Sequence, residues 1–280
     1  MLEVKDIYKS YGSHQVLKGA SFKVTDGQIY GLIGKNGAGK TTLLNIISGS
    51  LSKDSGEVII TDLSKVGYLP DLPAFFEYMK TGEYLDFLLM KSGSKRRNEL
   101  LDLVKLSANV TIEKMSRGMR QRLGIAAALA IDPQVVLMDE PTSALDPQGR
   151  EDVLNILREL RNQKKTVVFS THILNDMEQI CDDFGFLNDG VITPRHSLVS
   201  DNEYTLFVSF ADPVSIETDG LPGIQIEVVS DRAYRFTVSN DGNSDAQRRV
   251  LDFVSRQNGV IRNITNETLT LEMLFKEVCD

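Results

Sequence analysis

Gly34-Lys35-Asn36-Gly37-Ala38-Gly39-Lys40-Thr41 fits the pattern G-x-x-x-x-G-K-[ST], a spacing that turns backbone N–H groups toward phosphate oxygens. Glycines at these points let the chain turn tightly and come close to a ligand with no Cβ in the way. The backbone around Asn36, Gly37, Ala38 and Gly39 would cradle the phosphates. Lys40 would meet the β- and γ-oxygens as a point charge, and Thr41 would offer its hydroxyl to Mg²⁺. A second candidate pair is Asp139-Glu140, two adjacent carboxylates closing an apolar run. One can hold Mg²⁺ through water, and the other can take a proton from an attacking water. His172 ends the next apolar run, within reach of a γ-phosphate if the runs lie side by side.

These groups need an element to carry each of them. Residues 28–33 are apolar and strand-like, and residues 42–47 have the spacing of a buried helix, so the loop sits between strand and helix as its chemistry requires. Residues 134–138 and 166–170 read as strands buried on both faces, typical of a parallel sheet, whose C-terminal ends are where ligands bind. Before the loop, residues 2–8 and 16–24 read as strands around a turn at Tyr11-Gly12-Ser13. Tyr11 is then a loop aromatic that either stacks on an adenine ring or covers the sheet. Residues 57–61 and 65–69 are short strands, and residues 74–131 form a helical lobe inserted in the α/β core. Within it Lys95-Arg96-Arg97 marks a helix start as a solvated turn. Ser116 stands where a helix N-cap belongs, while Arg117, Arg120 and Arg122 oppose the dipole of the helix that follows. An anion from outside that helix would relieve them. Phe75, Phe76, Tyr78 and Met79 cluster after Asp71, as lobe core or as a docking face.

At 280 residues, 41% hydrophobic and 25% charged, the chain has ordinary globular proportions. Its net charge of -8 is uneven: residues 201–280 hold 7 basic and 14 acidic side chains, leaving about -1 for the rest. That shift supports a boundary near residue 200, and the acid speaks against nucleic acid as a partner. Residues 203–280 read as three strands, a helix at 245–257, a strand at 260–264 and a last helix from 271: a small α+β domain after a polar linker at 194–202. Cys181 and Cys279 have no metal or redox spacing, which suits a reducing compartment. The N-terminus lacks the apolar core of a signal peptide. No apolar run approaches the roughly 20 residues of a membrane span.

Together these segments resemble the ATP-binding cassette ATPases, specifically the separate ATPase subunits of bacterial export-type transporters for drugs, bacteriocins or sodium, over residues 1 to about 195. The resemblance implies a P-loop NTPase core, a parallel sheet with an antiparallel β subdomain and the helical lobe, and a domain at 1–195 followed by an accessory domain at 203–280. It implies that Tyr11 stacks on adenine, Thr42 follows Thr41 at the phosphates, Asp139 binds Mg²⁺, Glu140 is the catalytic base and His172 senses the γ-phosphate. Residues 143–146 become the loop that signals across a dimer. Ser116-Arg117-Gly118-Met119 resembles the family signature, in which Ser116 and Gly118 touch ATP bound to a second copy of the subunit. Met119 departs from the usual Gln and cannot donate a hydrogen bond. Asp71 stands where most members carry a Gln near Mg²⁺ and the attacking water; a carboxylate can bind Mg²⁺ but offers no N–H. The expected activity is ATP hydrolysis that closes and reopens a homodimer, driving an integral membrane permease from the cytoplasmic face of the membrane. A soluble cassette ATPase outside transport and an ATP-sensing module are the alternatives.

Overall fold

Burial alternates from Leu2 to Val4 and resumes one residue late at Ile7, after a bulge in which Asp6 takes positive φ. Such a two-residue period makes a half-buried antiparallel strand. In the computed structural model β1 (Leu2–Tyr11) pairs with β2 (His14–Val24) on one side and β4 (Ser55–Ile60) on the other. The structure describes residues 1–60, 65–90, 95–143, 145–194, 203–216, 221, 223–239, 245–257 and 259–267. The chain divides into two units, at 1–195 and 196–278, each with its own core.

In the first unit a six-stranded sheet carries β3 (Ile29–Ile33), β5 (Val66–Leu69), β6 (Val135–Met138), β7 (Thr166–Thr171), β8 (Asp183–Asn188) and β9 (Val191–Pro194). The strand order is β5-β6-β7-β3-β8-β9, parallel but for the β8–β9 hairpin. That hairpin turns at Asp189 and Gly190, both at positive φ (45° and 79°), the geometry a two-residue turn demands. Every residue of β3, β6 and β7 is buried. One face of the sheet shares a core with the three-stranded sheet and α1 (Lys40–Ile47), through Phe22, Tyr30, Leu32, Leu43 and Val168 among others. On the other face lie α5 (Pro147–Asn162) and α6 (Leu174–Ile180). A Cβ on Gly31, whose direction alternates with those of Tyr30 and Leu32, would strike Met177 and Cys181 there.

Register matches Leu69 to Met138, Met138 to Phe169 and Ile33 to Thr171. Four parallel strands therefore end along one edge, from which the loops after β5, β6, β7 and β3 all project. The lobe is made of α2 (Thr81–Leu89), α3 (Lys95–Leu103), a single 3₁₀ turn and α4 (Arg117–Ala128). Residues 71–80, expected as mostly helical from 74 on, form bends and turns and carry aromatic side chains to the surface. The Lys95-Arg96-Arg97 start is more than solvated: Arg96 donates to Leu129 O (2.9 Å) and Arg97 to Asp86 (3.0 Å).

The second unit is an antiparallel sheet of β10 (Glu203–Phe210), β11 (Ile224–Ser230), β12 (Ala233–Ser239) and β13 (Ile261–Glu267), in the order β11-β12-β10-β13. Helix α7 (Asp245–Ser255) packs Val250 and Val254 against Leu206, Phe236 and Val238. Most of the linker expected at 194–202 and the last helix expected from 271 lie outside the described residues. Two expectations shift. Tyr11 ends β1, paired with His14, instead of sitting in a loop, because the turn is only Gly12-Ser13. Helix α6 was not foreseen, its seven residues being too few for a clear apolar period.

Close packing of α4 on β5 sets a limit at Gly67, where a Cβ would come 2.2 Å from Ala128 O, a backbone atom that cannot rotate away. Gly67→Ala is expected to cost about 1–3 kcal/mol of stability. Thermal unfolding checks this, and an unchanged midpoint would contradict it.

Candidate functional site

After β3 the chain enters a loop in which Gly37 (φ 86°) and Gly39 (φ 104°) adopt left-handed conformations. Gly39 also lies where a Cβ would press on Val16 and Leu17. It begins α1 with no side-chain cap, so the first N–H groups of that helix are left to a ligand. Lys40, only 6% exposed, folds back over the loop and donates to Gly34 O (2.7 Å) and Lys35 O (3.3 Å).

Beyond β6, Asp139 is fully buried, yet its carboxylate is fully met: Thr41 Oγ1 donates to one oxygen (2.6 Å) and Ser170 Oγ to the other (2.6 Å). Its own N–H donates to Leu69 O (2.8 Å). Burial of a carboxylate without such partners would cost several kcal/mol. Glu140 follows at φ 48°, a left-handed conformation that costs a non-glycine residue on the order of 1–3 kcal/mol. Ser170 holds that turn by accepting from Glu140 N (2.9 Å). The turn aims the Glu140 carboxylate between two partners, Lys40 Nζ at 3.2 Å from Oε1 and His172 Nδ1 at 2.8 Å from Oε2. Oε1 is buried and accepts no hydrogen bond among the described residues. Asp71 meets Ser143 Oγ at 3.4 Å. Burial, with Asp139 and Asp71 nearby, pushes the Tyr68 phenol well up from its ordinary range and keeps it neutral.

The structure thus brings Lys40, Thr41, Asp139, Glu140 and His172 to one place, with Asp71 reached through Ser143. Such a place can hold phosphate oxygens and orient a water beside a carboxylate. A hydroxyl and a carboxylate 2.6 Å apart are also hard oxygen donors, and their small number fits Mg²⁺, which keeps several waters. Among the described residues no three His, Cys, Asp or Glu side chains gather to cage a metal by themselves.

No hydrogen bond or ion pair among the described residues joins Tyr11, Ser116 or Gly118 to this group. Tyr11 is about half exposed, with Lys9 Nζ 5.6 Å from its ring centroid. Ser116 is the N-cap of α4, accepting from Met119 N at 3.3 Å. It borders a cleft of about 360 Å³, together with Gly118, Leu145 and Asp146. Two of the three cations at this helix start are met from within the chain. Arg120 forms a bidentate pair with Glu77 (2.6 and 2.5 Å), and Arg122 pairs with Asp152 (3.3 Å). Sequence reasoning missed those acids because they lie 43 and 30 residues away along the chain. It also missed Ser170, the hydroxyl that fixes both Asp139 and Glu140; a serine closing a strand gives no local sign of its partners.

A family model described as ABC transporter matches residues 17–143. The uncharacterized ABC transporter ATP-binding protein YxlF of Bacillus subtilis (strain 168) is 41% identical over 71% of this chain and 71% of its own length. The linearmycin resistance ATP-binding protein LnrL of the same strain is 34% identical over 68% of this chain and 67% of its own. Among solved structures, the dimeric post-hydrolysis state of the ATP-binding cassette MJ0796 bound to ADP and Pi superimposes with a TM-score of 0.62 at 29% identity. It covers 69% of this chain and 96% of that one.

Ser170→Ala leaves one oxygen of Asp139 and the Glu140 N–H without their partner. The expected loss is about 1–3 kcal/mol of stability together with reduced nucleotide hydrolysis. Parallel unfolding and phosphate-release measurements test this, and wild-type values in both would contradict the role given to Ser170.

Proposed function

The chain belongs to the ATP-binding proteins of ABC transporters and hydrolyses ATP as that family does, and we propose that it powers an exporter by clamping ATP between two copies that work on a separate membrane subunit. The observation that carries this reading is the Glu140 carboxylate lodged between Lys40 and His172, beside the phosphate loop. Lys40, freed from Gly34 O and Glu140 by an incoming phosphate, takes the β- and γ-oxygens. Glu140 accepts the proton of the attacking water, and His172, bonded to its other oxygen, fixes the direction of that carboxylate. Thr41 and Asp139 would hold Mg²⁺, with Asp71 close by; the ion would supply charge neutralisation at the phosphates.

Pairing of copies is supported by the solved dimeric relative and by the start of α4. The Ser116 hydroxyl accepts from Met119 N and keeps its own proton to donate. Given to a γ-phosphate on the facing copy, that bond is worth roughly 1.5–3 kcal/mol. Two-fold symmetry counts it twice, on the order of the roughly 5.5 kcal/mol that swings a two-state equilibrium. ATP closes the pair and loss of the γ-phosphate reopens it. The relative named for linearmycin resistance supports outward transport.

Among the described residues no helix is long and apolar enough to cross a membrane. In this reading the work is done on a separate membrane subunit, from the cytoplasmic face. The docking site is the aromatic surface of residues 72–90. Tyr78 is 79% exposed, and Phe76 and Phe87 are each about half exposed, their rings 5.6 Å apart edge to face. Leu72 and Met90 in the same segment are also exposed, whereas Phe75 turns inward onto Tyr84. A grouping of exposed aromatic side chains of this kind marks an interaction site.

Glu140→Gln is expected to lower hydrolysis by roughly 10²–10⁴ while binding ATP and accumulating as a dimer on size exclusion; wild-type turnover would refute the base. Phe76→Ser with Tyr78→Ser should keep the fold and lose the membrane partner on purification from detergent extracts. Undiminished co-purification would move the docking site elsewhere.

A further inference from the structure

Asp176, in the second turn of the chain after His172, is completely buried, and neither of its oxygens accepts a hydrogen bond among the described residues. Its nearest cation is Arg150, with Nε at 4.0 Å from Oδ1, and that Nε is itself buried and without a hydrogen-bond partner. Thr142, two residues after Glu140, is also fully buried, and its hydroxyl lies close enough to Asp176 to favour the charged carboxylate, though outside strict hydrogen-bond geometry. Three side chains with a buried, unmatched polar atom therefore meet here, one from each segment around the site, with Arg150 reaching in from a partly exposed position. Thr142 comes from the loop after Glu140, Arg150 from the first turns of α5, and Asp176 from the short helix after His172.

Buried polar groups are nearly always matched, because an unmatched one destabilises the fold. A carboxylate kept in the interior without matching is costly as a packing element, since apolar residues of similar size fill such a place better. Its position supplies a reason. Glu140 and His172 touch each other at the reacting edge, yet they arrive on different strands, and among the described residues no backbone hydrogen bond ties the loop after one to the turn after the other. Asp176 lies beside Thr142, two residues past Glu140, and within electrostatic reach of His172. Burial raises its pKa, and the nearby Thr142 hydroxyl and Arg150 offset that only in part.

We propose that Asp176 is a positioning residue, which through Thr142 and Arg150 couples the loop following Glu140 to the segment carrying His172. At 4.0 Å the Asp176–Arg150 pair is long for a closed ion pair, so it can shorten when Leu145 and Asp146, at the start of α5, shift against a second copy. The cluster transmits that shift to the carboxylate–imidazole contact without touching nucleotide. This rests on Glu140 and His172 being the reacting pair.

The test uses the full chain with Asp176→Asn, Asp176→Ser, Arg150→Met and the Arg150→Met/Asp176→Asn double variant, beside Glu140→Gln. A positioning role predicts kcat for ATP hydrolysis about tenfold lower in Asp176→Asn and Asp176→Ser, with KM within about twofold and the unfolding midpoint not lowered. The double variant should lose no more than Asp176→Asn alone, since both changes cut one linkage. Wild-type kcat in both Asp176 variants, alongside a stalled Glu140→Gln, overturns this inference and leaves the base assignment standing. Loss of kcat that merely follows a lowered midpoint overturns it as well, reducing Asp176 to packing. Wild-type turnover in Glu140→Gln overturns both.

Discussion

Everything at the reacting edge depends on the enclosure of one carboxylate. Asp139 has no contact with water, so its negative charge must be met by protein, and the groups that meet it come from elements that no local rule would join. Thr41 comes from the helix after the phosphate loop, Ser170 from the end of the neighbouring strand, and the backbone of Leu69 from the strand on the other side. Each of these contacts fixes the height at which its element ends. The strands are parallel, so fixing one set of ends aligns the loops that follow. Ser170 then extends the constraint by one residue, since the same hydroxyl sets the turn at Glu140.

Much of this arrangement was written in short stretches of the chain. The phosphate loop, the pair of carboxylates and the apolar strands of β3, β6 and β7 could be read because their signals are local: glycine spacing, charge at a strand end, continuous burial. Strand limits in the second unit were found to within a few residues for the same reason, each being bounded by Gly, Pro, Asn or Asp. What stayed hidden was long-range. Glu77 and Asp152 neutralise Arg120 and Arg122 from separate elements, and no window of sequence contains both partners. Helix α6 is too short for a period, and the burial of Asp176 runs against what its residue type leads one to expect. Tyr11 was misplaced by a turn of only two residues, shorter than the sequence reading allowed.

The two sheets of the first unit do not share a hydrogen-bonded ladder, but they are joined. Lys18 N donates to Gly190 O (2.8 Å) at the tip of the β8–β9 hairpin, and a Cβ on Gly190 would meet Val16 O at 2.7 Å. Val16 and Leu17 in turn press on Gly39 of the phosphate loop. The antiparallel strands therefore buttress the loop from one side, while the parallel sheet supplies its charges from the other. Glycine is needed at both ends of this brace, because backbone and side chain approach each other too closely for any larger residue.

The left-handed turn at Glu140 also shapes how the chain can vary. A glycine or an asparagine would sit in that conformation with less strain, so the residue best for the backbone is not the one that the proposed chemistry asks for. With Glu140 as the proposed base, a screen that rewarded heat resistance alone would drift toward sturdier proteins that no longer turn over.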